Sequence, residues 1–382
     1  MWYESNAKLL AGYGERVMPR RYEWDARWWS PIINAEHLAM RERVGMVDLS
    51  AFAIFDVTGP GALDYMQKMA VSQMDVPVGR VAYTSLLNTA GGIKADLTIM
   101  RLGHDHFRSG DGRHGWRYAR QEMVAYNADG SAQLADLTSA WTTVGYGRRW
   151  PVTGPSLHRT RSVSRHFSLC HLPVGRVWPG LERWRAFLMW VSWAGDLCTD
   201  GARGAAVGHP MGGRAKFGVA PVGIGVYGTT ARLENVTATA TGVGTGIQSP
   251  RTRGGHGPAS VKPDFIGKEA YLKQRAEAPA AILCTLTVDD NTAKSGFKRH
   301  MMGREPILTP DGRPLEDKHG RRSYVTSAGS GPSVGKTILL SYLPPEYAKV
   351  GTKLAVEYFA EQYPVTVAVV SMPRCLTPKI SG

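Results

Sequence analysis

Cysteine is scarce in this chain, acidic residues are outnumbered, and no apolar stretch is long. The four cysteines, Cys170, Cys198, Cys284 and Cys375, are scattered over 382 residues. They form no paired motif, so neither a disulfide framework nor a zinc site is indicated, and a reducing, cytoplasmic location is the expectation. The longest apolar run, Ala186–Ala194, is far below the roughly 20 residues a helix needs to cross a bilayer, and no membrane partner is expected. The first residues, Met1–Asn6, lack the basic and apolar layout of a secretion signal. No Gly-x-Gly-x-x-Gly opens the chain, so a dinucleotide fingerprint is missing. Gly331–Thr337 looks like a phosphate-binding loop, but Ser330 stands where its first glycine should fall. The next residues, Ile338, Leu339 and Leu340, read as a strand and not as the helix whose amino end would cradle phosphate, so a turn between strands is expected. His104-Asp105-His106 lies in a polar turn without further ligands at familiar spacings, and no metal is expected.

The shortage of acids is local. Asp and Glu number 32 against 46 Lys and Arg, a net charge of +14. Three blocks, 108–127, 146–218 and 235–262, hold 18 basic and 5 acidic residues, hence +13 of that total. A basic surface tracking a polyanion would not be confined in this way, so no nucleic-acid partner is expected. The same blocks lose helical and strand periodicity, and five of the eleven tryptophans lie between Trp150 and Trp193. Two accounts stand side by side: long basic insertions, or translation of 108–127, 146–216 and 235–260 in a shifted reading frame of a G+C-rich gene. The second accounts for the enrichment in Arg, Gly and Trp and for the abrupt edges.

Against these gaps, one stretch is strongly patterned. In YTSLLNTAGGIKADLT (Tyr83–Thr98) two alternating segments flank Asn88–Gly92, the signature of a β-hairpin with a short glycine-containing loop. Ile93, Ala95, Leu97 and Ile99 share one face, and Lys94, Asp96 and Thr98 the other. Placing Asn88 opposite Gly91 predicts Tyr83 opposite Asp96, with β-carbons roughly 5 Å apart. A carboxylate beside an aromatic ring could grip a flat, nitrogen-rich ligand; the same pattern also describes a solvated strand face. Upstream, Asn34–Val44 reads as a helix with Asn34 as cap and Gly45 as stop, and His37 on its apolar stripe reads as a packed or surface histidine. Phe52–Val57 alternates as a strand, and Gly59-Pro60-Gly61 opens a helix carrying Leu63, Met66 and Met69.

The hairpin resembles the folate-binding hairpin of the glycine-cleavage T-protein (aminomethyltransferase) superfamily, and EHLAMRERVGMVDLS, VTGPGALDYMQ and VKPDFIGKEAYL resemble its flanking segments in order. Ser50-Ala51-Phe52, in place of Ser-His-Met, and the lead-in tryptophans Trp24, Trp28 and Trp29 look more like the folate domains of dimethylglycine and sarcosine dehydrogenases. The resemblance implies tetrahydrofolate as cofactor and Asp96 as the catalytic carboxylate facing it. It also implies Tyr83 against the pterin, Thr98 in support and Arg232, in TTARLE, as a further ligand contact or a structural ion pair. The family's Gly-(Glu/Asp)-x-Gly-aromatic-Glu segment is only begun here, by Gly195, Asp196 and Leu197.

The carboxy-terminal part alternates as short strands at Ile282–Val288, Ser323–Ser327, Thr337–Leu343, Lys353–Tyr358 and Pro364–Val370, with a turn at Pro310-Asp311-Gly312. GREPILTPDGRPL and YVTSAGSGPSVGKTILLSYLPPEYAKVGTKLAVEY resemble the superfamily's terminal barrel. The expected fold is α+β, with a folate-binding region of two interleaved lobes over 1–265 and an antiparallel β-barrel over 278–372. The implied function is a tetrahydrofolate-dependent transferase taking a one-carbon unit from a small glycine-derived or N-methylated amine. The alternative is a non-catalytic folate-binding subunit of an amine dehydrogenase or oxidase. Any flavin oxidation would need a separate flavoprotein subunit.

Overall fold

The computed structural model describes residues 9–17, 31–49, 52–111, 123–127, 129–149, 167–168, 181–188, 191–199, 219–226, 262, 264–332 and 335–370. Helix α1, Pro31–Glu42, begins three residues before the expected cap. Proline fits a first helical turn because its missing N–H has no intrahelical partner there. Asn34 is therefore not a cap; it is wholly buried, and its Oδ1 accepts a bond from Ser330 Oγ at 2.7 Å. Strand β1, Val44–Asp48, runs straight out of the helix. Strand β2, Ala53–Thr58, is buried at five successive positions and does not alternate, because both of its faces are covered. Gly61 then leads into α2, Ala62–Met69, which buries Ala62, Tyr65, Met66 and Met69 as one stripe.

The hairpin comes next as β3, Arg80–Leu87, and β4, Ile93–Gly103, continued by β5, His106–Asp111. Leu86, Ala95, Leu97, Ile99 and Phe107 pack under α2, so the apolar face expected from alternation is the one that is buried. Beyond them lie β6, Gln133–Asp136; β7, Trp141–Arg149; β8, Phe167–Ser168; β9, Leu181–Leu188; β10, Val191–Thr199; and β11, Val219–Val222. These eleven described strands form one sheet in the order β11-β1-β7-β10-β9-β8-β3-β4-β5-β2-β6. The β1–β11 pairing is parallel and the other ladders are antiparallel. Strands β9 and β10 fall where the sequence shows no sustained spacing. Arg108, placed by composition in an anomalous block, is an integral, buried member of β5.

Helix α3, Lys268–Ala276, connects to the second sheet. Its strands are β12, Ile282–Val288; β13, Ile307–Leu308; β14, Val325–Gly331; β15, Lys336–Leu343; β16, Lys353–Tyr358; and β17, Glu361–Val370. The order is β13-β16-β17-β12-β15-β14. Backbone bonds between 304–307 and 323–325 join its two edges, so the sheet wraps round its own core of Leu286, Val325, Leu339, Val356, Tyr363 and Val365. Lys336, in the stretch that resembles a phosphate loop, starts a strand and pairs with Gly331 across a hairpin turn. The expected turn at Pro310–Gly312 is present, with Gly312 N donating to Thr309 O at 2.9 Å. The molecule is α+β, as the sequence implies.

Candidate functional site

The tip of the β3–β4 hairpin is fastened by its own side chain and by α3. Asn88 Oδ1 accepts from Gly92 N at 2.8 Å, Asn88 N donates to Gly92 O at 2.9 Å, and Gly91 N donates to Asn88 O at 3.0 Å. From outside, Gln274 Nε2 donates to Ala90 O at 2.8 Å. Gly267, at the start of α3, sits in the left-handed region at φ +77, and a Cβ there would lie 2.2 Å from Asn88 O. Gly267→Ala should therefore cost at least about 2 kcal/mol, from the left-handed backbone and the contact with a backbone oxygen that cannot swing away. Urea unfolding of variant and wild type measures this, and a loss below a few tenths would show that α3 does not press on the hairpin.

The register differs from the expected one. Leu87 pairs with Ile93, and an irregularity between Leu86 and Leu87 then shifts the ladder. Ser85 lies opposite Asp96, and Tyr83 opposite Thr98. Tyr83 and Asp96 are thus diagonal and not directly paired. The shift is even in total, so both positions stay on the same face of the ladder. Thr98, opposite Tyr83 and two residues along β4 from Asp96, is half-buried. Arg232 lies outside the described residues.

Following the register sideways extends this face. Tyr83, Thr98, Gly110 and Ile54 form one row across β3, β4, β5 and β2. The adjoining row is Val81, Met100, Arg108 and Asp56. Ile54, Val81 and Met100 make a small apolar cluster with Leu137 and Trp141 packed against it. Beside it Asp56 holds the buried Arg108 through two bonds, Nε to Oδ1 at 2.6 Å and a terminal nitrogen to Oδ2 at 2.8 Å. The Arg108 guanidinium stands 4.2 Å from the centre of the Trp141 ring, and His106 Nε2 lies 2.8 Å from Asp56 Oδ2. A fixed edge therefore flanks the row of Tyr83 and Thr98. At Gly110, by contrast, no atom of the described residues lies within 4 Å of where a Cβ would stand. Sequence reasoning missed this edge because Arg108 and Asp56 are 52 residues apart; the alternation of HFRSGD was the available signal.

Other chemistry is limited. Burial pushes the Cys284 thiol up to about 12, which leaves it protonated and unreactive at neutral pH. Among the described residues no group of three or more His, Cys, Asp or Glu is placed to hold a metal ion, and no helix is long and apolar enough to cross a membrane. The partial Gly195-Asp196-Leu197 segment lies in β10, with Gly195 opposite Gly145 and Trp184.

Comparison with known proteins matches two separate segments of the chain. Residues 2–155 match the family model of the GCVT N-terminal domain, and residues 282–374 that of the glycine cleavage T-protein C-terminal barrel domain. An aminomethyltransferase of Thermosynechococcus vestitus is 26% identical over 371 residues, covering 93% of this chain and 89% of that protein. A 4-methylaminobutanoate oxidase (formaldehyde-forming) of Paenarthrobacter nicotinovorans is 38% identical over 128 residues, 32% of this chain but 15% of the oxidase. Among solved structures, the glycine cleavage system aminomethyltransferase T of Bartonella henselae superposes with a TM-score of 0.71 at 17% identity, over 89% of each chain.

Proposed function

Because the chain belongs to the glycine-cleavage T-protein superfamily, we propose that it is a tetrahydrofolate-dependent transferase that takes a one-carbon unit from a small glycine-derived or N-methylated amine. The observation that carries this reading is the single strand face holding positions Tyr83, Thr98 and Asp96. The fit to a flat ring is supported at Gly110, in the same row, where among the described residues no atom lies within 4 Å of an added Cβ. Bound tetrahydrofolate supplies the nitrogen that accepts the one-carbon unit. With tetrahydrofolate bound, the Asp96 carboxylate would orient N10 and accept its proton, Tyr83 would pack against the pterin, and Thr98 would support both. Arg232 is assigned to the same site as a ligand contact or an ion pair that shapes it. The region up to about residue 265 is assigned to folate binding, and 278–372 to the barrel.

A second reading, a non-catalytic folate-binding subunit of an amine dehydrogenase or oxidase working with a separate flavoprotein, is favoured by the 38% identity to part of an oxidase. Titration with tetrahydrofolate, followed by quenching of tryptophan fluorescence, tests what the two share. Saturable quenching is expected, and its absence at millimolar folate would end both. Formation of a methyl folate from sarcosine or dimethylglycine, or of a methylene folate from an aminomethyl donor, neither of which needs an oxidant, then separates transferase from inert subunit.

A further inference from the structure

Lys262 is 2% exposed, yet its described acceptors are uncharged: Nζ donates to the carbonyl oxygens of Ala70 and of Ser72, the latter at 2.8 Å. Those carbonyls belong to the segment that leaves α2 and runs along β3. Ala70 bridges to Leu86, Val71 N donates to Ser85 O at 3.1 Å, and Ser72 N donates to Thr84 Oγ1 at 3.0 Å. Ser85 is the residue opposite Asp96. The same stretch of chain continues into Ile266, whose N–H donates to Lys68 O at 2.9 Å, and into Gly267 against Asn88 at the hairpin tip. Lys268 Nζ in turn donates to Lys262 O at 2.7 Å.

We propose that Lys262 is a positioning residue, locking residues 70–72 against β3 and so fixing the strand that faces Asp96. Its effect on transfer rests on the functional reading above; its effect on the hairpin does not. Burial is what holds its ammonium down at about 7. The charged groups on the packed elements are Asp64 and Lys68 on α2, Arg80 on β3 and, on residues 264–269 of its own segment, Asp264, Lys268 and Glu269, while residues 70–72 and 84–86 carry none. When the clamp opens, the lysine regains water and its ordinary value of 10.5. Between about 7 and 10.5 the closed form therefore binds fewer protons than the open one. Closure is favoured about tenfold more for each pH unit gained in that window.

Hydrogen exchange of the whole, unliganded chain from pH 7 to 9 tests this. Base-catalysed exchange accelerates with hydroxide, so amides in the barrel, such as that of Leu286, should speed up throughout. At Val71 and Ser72 the tightening clamp should cancel that rise and leave the rate nearly flat. In Lys262→Met, which keeps the apolar stem and loses the donors, both amides should exchange faster and track hydroxide like the rest. An ordinary rise at Val71 and Ser72 in the wild type, or a flat profile surviving in the variant, overturns the proposal; the wild-type series decides alone if the variant does not fold. Tetrahydrofolate-dependent turnover of Lys262→Met should fall about a hundredfold. A wild type that binds no folate removes the functional reading and leaves the exchange result standing.

Discussion

Asp56→Ala should destabilise the amino-terminal sheet by about 3–5 kcal/mol, the usual consequence of stripping one partner from a buried ion pair. Arg108 is 4% exposed and holds Asp56 through two bonds, with the Trp141 ring on its other side. Without the carboxylate, a guanidinium that cannot lose its charge is left desolvated between β2 and β5. Most of the loss should be the desolvation of that charge and not the worth of the pair. The double variant Asp56→Ala, Arg108→Met should accordingly recover a large part of it, since an apolar replacement of both groups carries no desolvation penalty. Equilibrium urea unfolding of the two singles and the double supplies the cycle. A loss below about 1 kcal/mol in Asp56→Ala would mean that solvent reaches the pair.

The second large effect is kinetic. Asp96→Ala should lower one-carbon transfer by about 10²–10⁴-fold, the range associated with a positioned general base. Stability should barely change, because the partner across the ladder is Ser85 and the hairpin is held from its other face and its tip. Asp96→Asn separates two parts of the role: an amide oxygen can still accept a bond from N10, but it cannot take the proton. Turnover in Asp96→Ala equal to wild type, with circular dichroism unchanged, dismisses the carboxylate from the chemistry.

Alternation and a glycine pair make the hairpin legible, and its apolar face packs as the pattern requires. Its register is not legible. The irregularity at Leu86 and Leu87 involves two leucines, with no glycine to announce it, and only the ladder reveals that Tyr83 faces Thr98. Asn34 looks like a cap because the local sequence offers a helix start there. Its side chain is instead spent on Ser330, a partner no local pattern can name. Strand β2 hides its true environment for a related reason: with α2 on one side and the Trp141 cluster on the other, polarity no longer alternates. Composition misplaces Arg108, since charge in an Arg-rich stretch resembles a solvated loop until Asp56 is seen beside it. The barrel strands lie closest to expectation, their short alternating segments being bounded by glycine and proline turns.

The bond between Ser330 Oγ and Asn34 Oδ1 joins the terminal barrel to the first helix of the other sheet across 296 positions of chain. Cutting the protein at α3 would leave the Asn34 amide, wholly shielded from solvent in the intact molecule, without the Ser330 hydroxyl. A chimera grafting a foreign barrel would therefore have to supply a donor in the place of Ser330 if Asn34 is to keep that bond.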